Sequence, residues 1–175
     1  MAHVDQLWAG WRHDYVTKAA DDSRDRRAGL DVPECILCEL EGKGSDYYVV
    51  ARNEKCFVVM NLYPYANGHM MVVPNEHNQN LQDFDTDTRN TIIDMTNTAS
   101  KVLREIYNPD GVNVGINMGE AAGAGIPGHL HVHILPRWNA DTNFLTTVAN
   151  TRVMPETLQS SYEKINNLWP VEEKI

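Results

Sequence analysis

An α+β fold on a mostly antiparallel five-stranded sheet, with one long helix and a C-terminal helix, is the class this sequence predicts. Three observations carry it. Short apolar runs separated by polar turns follow one another from Tyr47 to Pro74, helical periodicity occupies residues 86 to 107, and two further strand patterns precede a final amphipathic segment. Strands in succession, then a helix, then strands again, favour antiparallel pairing over repeated βαβ units.

Taken in order, "YYVVAR", a polar "NEK" turn and "CFVVMN" read as a hairpin. "NLYPYANG" is a loop rich in Pro, Asn and Gly, and "HMMVVP" is the third strand. Ile92, Thr96, Ala99, Leu103 and Ile106 then recur at helical spacing, in a helix that can start near Thr86 and must stop at "NPDG". "GVNVGIN" is the fourth strand and the histidine-bearing segment is the fifth, joined by a Gly-rich connection. Pro155 suits a first helical turn, with Leu158, Tyr162, Ile165 and Trp169 on one face. Residues 1 to 30 read as a polar arm, its tryptophans in "LWAGWRHDYV" as anchors and its charge run "DDSRDRRAG" as a solvated segment. Residues 31 to 175 read as a single domain.

At 175 residues and 42% hydrophobic, the chain can bury an ample core. A net charge of −9 argues against a nucleic-acid polymer or an anionic membrane as partner. A small phosphate-bearing ligand needs only a local site and stays open. No apolar run approaches the roughly 20 residues a membrane span requires. The start "MAHVDQLWAG" lacks the pattern of a secretory signal, and three cysteines fit a reducing compartment better than a disulfide framework. The expected setting is cytoplasmic.

The stretch "PGHLHVHILPRW", residues 127 to 138, sets His129, His131 and His133 at alternate positions with Leu130, Val132 and Ile134 between and after them. Period-two alternation would line the three rings on one face of a strand. The pattern alone is satisfied by a metal site, stacked surface histidines or catalysis. As a catalyst, the middle imidazole could attack a phosphorus centre, with its other nitrogen held by an acceptor such as a backbone carbonyl. The preceding "NMGEAAGAGIPGH" holds four glycines, whose backbone N–H groups could approach an anion; most such loops are only turns. "ECILCEL" sets Cys35 and Cys38 at a spacing that fits one tetrahedral ion, a redox pair or two buried thiols. Cys56, within a strand pattern, reads as a small buried hydrophobe.

"GHLHVHILPRW" resembles the histidine triad motif without a gap. "FVVMNLYPYANGHMMVVPNEH" is similar to the upstream half of that family. "AGAGIPGHLHVHILPRWNADTNFL" with "TRVMPE" resembles a bacterial branch that includes diadenosine tetraphosphate phosphorylases. The resemblance covers roughly residues 35 to 168. It implies a HIT-like nucleotide-binding fold that forms a homodimer and attacks the α-phosphate of an adenine nucleotide.

By position, the resemblance makes His131 the nucleophile that forms a nucleotidyl-histidine and places His133 at the phosphate or leaving group. It assigns Asn61 to the ribose, and Asn117, Gly125 and Ile126 to the neighbourhood of the α-phosphate. His69 in "NGHMM" is read as support to the site or as a satisfied structural histidine. Arg137 either faces phosphate or makes a surface ion pair, Trp138 is packing, and "WNADTNF" completes the pocket or its lid. In relatives with this CxxC, zinc is completed by the histidine of Pro-x-x-His and the first triad histidine, so the implied ligands are Cys35, Cys38, His77 and His129. The expected reaction transfers AMP from diadenosine tetraphosphate to phosphate. A dinucleoside polyphosphate hydrolase and an adenosine phosphoramidase share the same first step, and a non-catalytic nucleotide-binding regulator is the rival of a different class.

Overall fold

A computed structural model of the protein describes residues 35–142, 148–149 and 153–171. The N-terminal arm, with its tryptophans and charge run, lies outside the described residues, as does the part of "WNADTNF" beyond Thr142. The chain divides into two compact units, residues 33–139 with 154–175, and residues 1–32 with 140–153. The sheet, its helices and both histidine clusters all belong to the first.

Five strands form one sheet: β1 (Val49–Arg52), β2 (Cys56–Met60), β3 (Met70–Pro74), β4 (Gly111–Ile116) and β5 (Val132–Arg137). Their order is β1-β2-β3-β5-β4 and every pairing is antiparallel. The helices are α1 (Ile36–Glu39), α2 (Thr86–Tyr107) and α3 (Leu158–Leu168). This is the α+β, antiparallel architecture that the strand–helix–strand pattern predicts, and the HIT-like fold that the resemblance implies.

Every residue of β2 and β3 is buried, which explains why "CFVVM" and "MMVVP" are continuous apolar runs rather than alternating ones. Val58, Met60, Met70 and Val72 face the main core, beneath Ile92, Met95, Ala99 and Leu103 of α2 and Ile165 and Trp169 at α3. Phe57, Val59, Met71 and Val73 face the other way and pack with Cys35 and Leu37 in a second, smaller cluster. On β5, Val132 and Ile134 join the main core. His133 pairs with Met71 and so points to the opposite face.

The long helix begins and ends where its punctuation directs. Asp85 caps it, accepting from the Thr88 N–H, and hydrogen bonds from Thr88 and Lys55 hold its carboxyl down at about 2. Asn108 closes it in a left-handed conformation with φ 41°. Three boundaries differ from the sequence expectation. Tyr47 ends a 3₁₀ turn, and Tyr48 has φ 59°, which cannot continue a ladder, so β1 starts at Val49. Pro155 lies before α3 rather than in its first turn, because the Thr157 hydroxyl caps the helix by accepting from the Ser160 N–H. β5 begins only at Val132, so His129 and His131 precede it and their backbone departs from the ladder: the Leu130 N–H donates to Asn78 O at 2.7 Å.

Between β2 and β3 the chain folds back through a loop whose ends meet, the Asn61 N–H donating to His69 O at 2.9 Å. Gly68 makes this possible. It has φ +75°, and a Cβ there would stand 2.6 Å from Tyr107 Cε2 and 2.8 Å from Leu103 Cδ2. Gly68→Ala combines left-handed strain with overpacking and is expected to cost about 2–4 kcal/mol. The check is a lowered denaturation midpoint at unchanged m-value; an unchanged midpoint would show that the helix end yields instead.

Candidate functional site

Two histidine clusters sit side by side and share the triad. The first is built on α1. Cys35 and Cys38 are three apart across a single helical turn, so their sulfurs lie on one side of it. Long-range folding brings His129 and His77 to them. His129 Nδ1 lies 3.5 Å from Cys35 Sγ and 3.4 Å from Cys38 Sγ, and His77 Nδ1 lies 3.1 Å from Cys38 Sγ. One ligand atom from each of the four residues falls within 4.8 Å of all the others. A tetrahedral ion with Zn–S near 2.3 Å and Zn–N near 2.0–2.1 Å has N···S edges of about 3.5 Å, so this spacing suits such an ion.

The tautomer of His129 agrees with a ligand role. Its Nε2 lies 2.8 Å from Pro74 O, a carbonyl that can only accept, so the proton is on Nε2 and the Nδ1 lone pair faces the sulfurs. Burial pushes its pKa down to about 4, against the opposing pull of the Pro74 carbonyl, and the ring is neutral at pH 7.

The second cluster carries the chemistry. His131 Nδ1 lies 2.8 Å from the His129 backbone oxygen, so Nδ1 carries the hydrogen and Nε2 the lone pair. That is the carbonyl acceptor a nucleophilic imidazole requires. His131 is buried, and burial lowers its pKa more than the carbonyl raises it, keeping the ring unprotonated and nucleophilic. Among the described residues, no group hydrogen bonds to its Nε2.

His133 follows, its ring centroid 4.9 Å from that of His131 at 82°. Its proton is placed by a chain of assignments. The Tyr65 N–H donates to His69 Nδ1 at 3.1 Å, so His69 carries its proton on Nε2. That nitrogen lies 3.0 Å from His133 Nδ1 and donates to it. A neutral His133 therefore holds its own proton on Nε2, as a donor. His69, fully buried, thus supports the site through a direct hydrogen bond to the last triad ring. No sequence signal separates these roles, because the deciding partners are a backbone N–H and the register Met71↔His133.

Asn61 reaches the same cluster. Its Oδ1 accepts from the Tyr63 N–H at 2.9 Å, and its Nδ2 lies 3.4 Å from His69 Nδ1. Asn117, Gly125 and Ile126 lie on the connection into the triad. Asn117 Nδ2 donates to Gly123 O at 3.4 Å, and Ile126 O accepts from the His129 N–H at 3.4 Å. Gly119 and Gly123, at φ 84° and 88°, bracket the 3₁₀ turn of this connection. Among the described residues, Asn117 bonds to Gly123 O rather than to a histidine ring. Arg137 donates to Asn113 Oδ1 at 2.8 Å across the β4–β5 pair. Trp138 packs edge-on against Tyr107. Cys56 is fully buried, and burial pushes its thiol to about 12, an unreactive hydrophobe.

An antiparallel sheet whose histidines alternate into one strand, the middle ring turned onto the carbonyl of the first, defines a histidine triad protein. The HIT domain matches residues 43–140, and the chain belongs to this family. It is 32% identical over 166 residues to the AP-4-A phosphorylase of Mycobacterium tuberculosis, covering 95% of this chain and 85% of that protein. A hypothetical histidine triad nucleotide-binding protein of Sulfolobus tokodaii superposes with a TM-score of 0.60 at 29% identity, over 77% of this chain and 93% of the other. A Zn-bound histidine triad family protein of Mycobacterium smegmatis shares the fold, with a TM-score of 0.63 at 24% identity over 77% and 91%. Among the described residues, no helix is long and apolar enough to cross a membrane.

Proposed function

We propose that the protein is an adenylyl-transferring histidine triad enzyme that converts diadenosine tetraphosphate and phosphate into ATP and ADP. The observation that carries this reading is the buried His131 ring, with Nδ1–H on the His129 carbonyl and the Nε2 lone pair presented. Nε2 attacks the α-phosphorus in line, and the P–O bond to the leaving ATP breaks. The positive charge that develops on the ring is supported by the carbonyl at Nδ1. His133 Nε2–H faces the leaving oxygen as a hydrogen-bond donor, its proton position set through His69. Inorganic phosphate then attacks the same phosphorus and releases ADP, restoring His131. Asn61 serves the ribose, and Asn117, Gly125 and Ile126 line the approach to the α-phosphate. The similarity to an AP-4-A phosphorylase over nearly the whole chain supports the choice of substrate.

Cys35, Cys38, His77 and His129 would hold zinc, which supplies a fixed anchor for the strand entering the triad rather than any part of the reaction. The spacing of their ligand atoms and the His129 tautomer support this. We also read the protein as a cytoplasmic homodimer. β4 is an edge strand with Val114 51% exposed, a face suited to a second copy.

Product analysis with diadenosine tetraphosphate, with and without inorganic phosphate, tests the reading. ATP plus ADP formed only with phosphate is expected. AMP plus ATP regardless of phosphate would make the enzyme a hydrolase. No turnover would point to adenosine phosphoramidates and then to a nucleotide-binding regulator.

A further inference from the structure

The loop from Asn61 to His69 carries two residues of the proposed site, and the Tyr65 ring within it packs on His69 and His133 with centroids 4.6 and 5.8 Å away. The loop's ends are joined by the Asn61 N–H to His69 O bond, and the His69 N–H donates to Ala66 O at 3.2 Å. Behind the loop is a cavity of about 130 Å³, lined by Met60, Pro64, Asn67, Met154 and Leu158 among others. The Asn67 Oδ1 is buried without a hydrogen-bond partner. The back of the loop is therefore loosely filled there. Gly68 also borders this cavity, but in the direction its Cβ would take it stands against the Tyr107 ring and the tip of Leu103, too close to admit a methyl group.

Tyr107 is itself held from several sides. Its hydroxyl donates to Glu156 Oε1, which also accepts from Ser161 Oγ at 2.6 Å, while Lys164 pairs with Oε2. Lys164 Nζ lies 5.8 Å from the ring centroid, and the Trp138 ring meets it edge-on at 6.2 Å and 89°. The last turn of α2, the end of β5 and the start of α3 thus fix one ring. No described contact joins that ring directly to the histidines; it reaches them through Gly68, the residue before His69, and through Trp138, just beyond the end of β5.

We propose that Tyr107 is a positioning residue for the reaction proposed above, on which this inference rests: its ring is the floor that seats Gly68. The loop then presents His69 to His133 and keeps the His133 proton on Nε2. Without the ring, the His69 end of the loop settles into the cavity side, the His69–His133 bond lengthens, and the donor at the leaving oxygen is lost, while Asn61, directly after Met60 at the end of β2, keeps its place at the ribose. The effect falls on kcat rather than KM, because displacements of about 1 Å can cost about a hundredfold in rate.

The test compares Tyr107→Ala, Tyr107→Leu and Tyr107→Phe in the full chain, assayed with diadenosine tetraphosphate and phosphate well below each variant's midpoint of unfolding. Tyr107→Ala is expected to lose about 10- to 100-fold in kcat with KM changed less than about threefold. Tyr107→Phe, which keeps the floor, should recover to within about threefold of wild type. If the Ala variant does not fold, Leu replaces it with the same expectation. Wild-type kcat in a folded Ala or Leu variant overturns the proposal, leaving Tyr107 a stability residue only. A Phe variant as impaired as Ala also overturns it, since the hydroxyl and not the floor would then be responsible. A second readout is independent of turnover: the His69 Nε2 proton, followed by ¹⁵N-histidine NMR, should exchange at least about tenfold faster in the Ala variant and not in Phe. If wild type fails to turn over the substrate, the proposed function falls while the exchange measurement still decides the role of Tyr107; equal exchange in all variants overturns that role.

Discussion

His131→Ala is expected to lower kcat for adenylyl transfer by about 10⁴- to 10⁶-fold, equivalent to about 5–8 kcal/mol of transition-state stabilisation, while nucleotide binding survives. The size follows from what the side chain does in the proposed reaction. It is the atom that forms the bond, so no neighbouring group can substitute without moving several ångströms. Burial keeps the ring neutral and ready, and the His129 carbonyl orients the lone pair. The rest of the site remains: Asn61 and His69 are held within their own loop and His133 by its register on β5. Titration with a nonhydrolysable dinucleotide should give a Kd within about threefold of wild type. Full activity in the variant would remove His131 from the nucleophile's role, and lost binding would show that the ring also builds the pocket.

The second large effect is on stability. Protein purified without added metal is expected to carry about one zinc per chain, held by the two-cysteine, two-histidine set. Cys35→Ser combined with Cys38→Ser should lose the metal and lower stability by about 4 kcal/mol where wild type is saturated about a thousandfold above its Kd. For a domain of this size that corresponds to about 8–16 °C in Tm. The cysteines lie 91 and 94 residues from His129 in sequence, so the cross-link ties α1 to the segment entering β5. Metal analysis and thermal melts together decide it. Zinc far below one per chain, unchanged when Cys35 is replaced, would dismiss the site and leave four residues gathered by packing alone.

Much of this architecture is visible in single residues of the sequence. The helix over residues 86 to 107 is found with both ends correct because Asp85 and Asn108 punctuate it and Ile92, Thr96, Ala99 and Leu103 mark its buried face. Met95 and Val102 are also buried there, which a strict one-face stripe leaves out. The start of β1 was hidden because nothing about Tyr48 as a residue announces a positive φ. Pro155 gave a false start for α3, since a proline suits a first turn without requiring one, and the stronger cap two residues later prevailed.

The candidate site divides in the same manner. The sequence by itself determined the chemical types and their spacing: alternating imidazoles, a CxxC pair, a glycine-rich approach, and hence the family. It also determined which side of the last strand is apolar, because side-chain alternation is a local property of the chain. Only the tertiary structure decided what each imidazole can do. Three protons are assigned by main-chain groups, Pro74 O, His129 O and the Tyr65 N–H, whose positions leave no trace in residue identity. The pairing of His69 with His133 depends on the register between β3 and β5, and the seat of the loop depends on Tyr107, 39 residues beyond Gly68 in the sequence. Reactivity depends on which nitrogen holds the lone pair, and that is settled by backbone atoms that folding brings together.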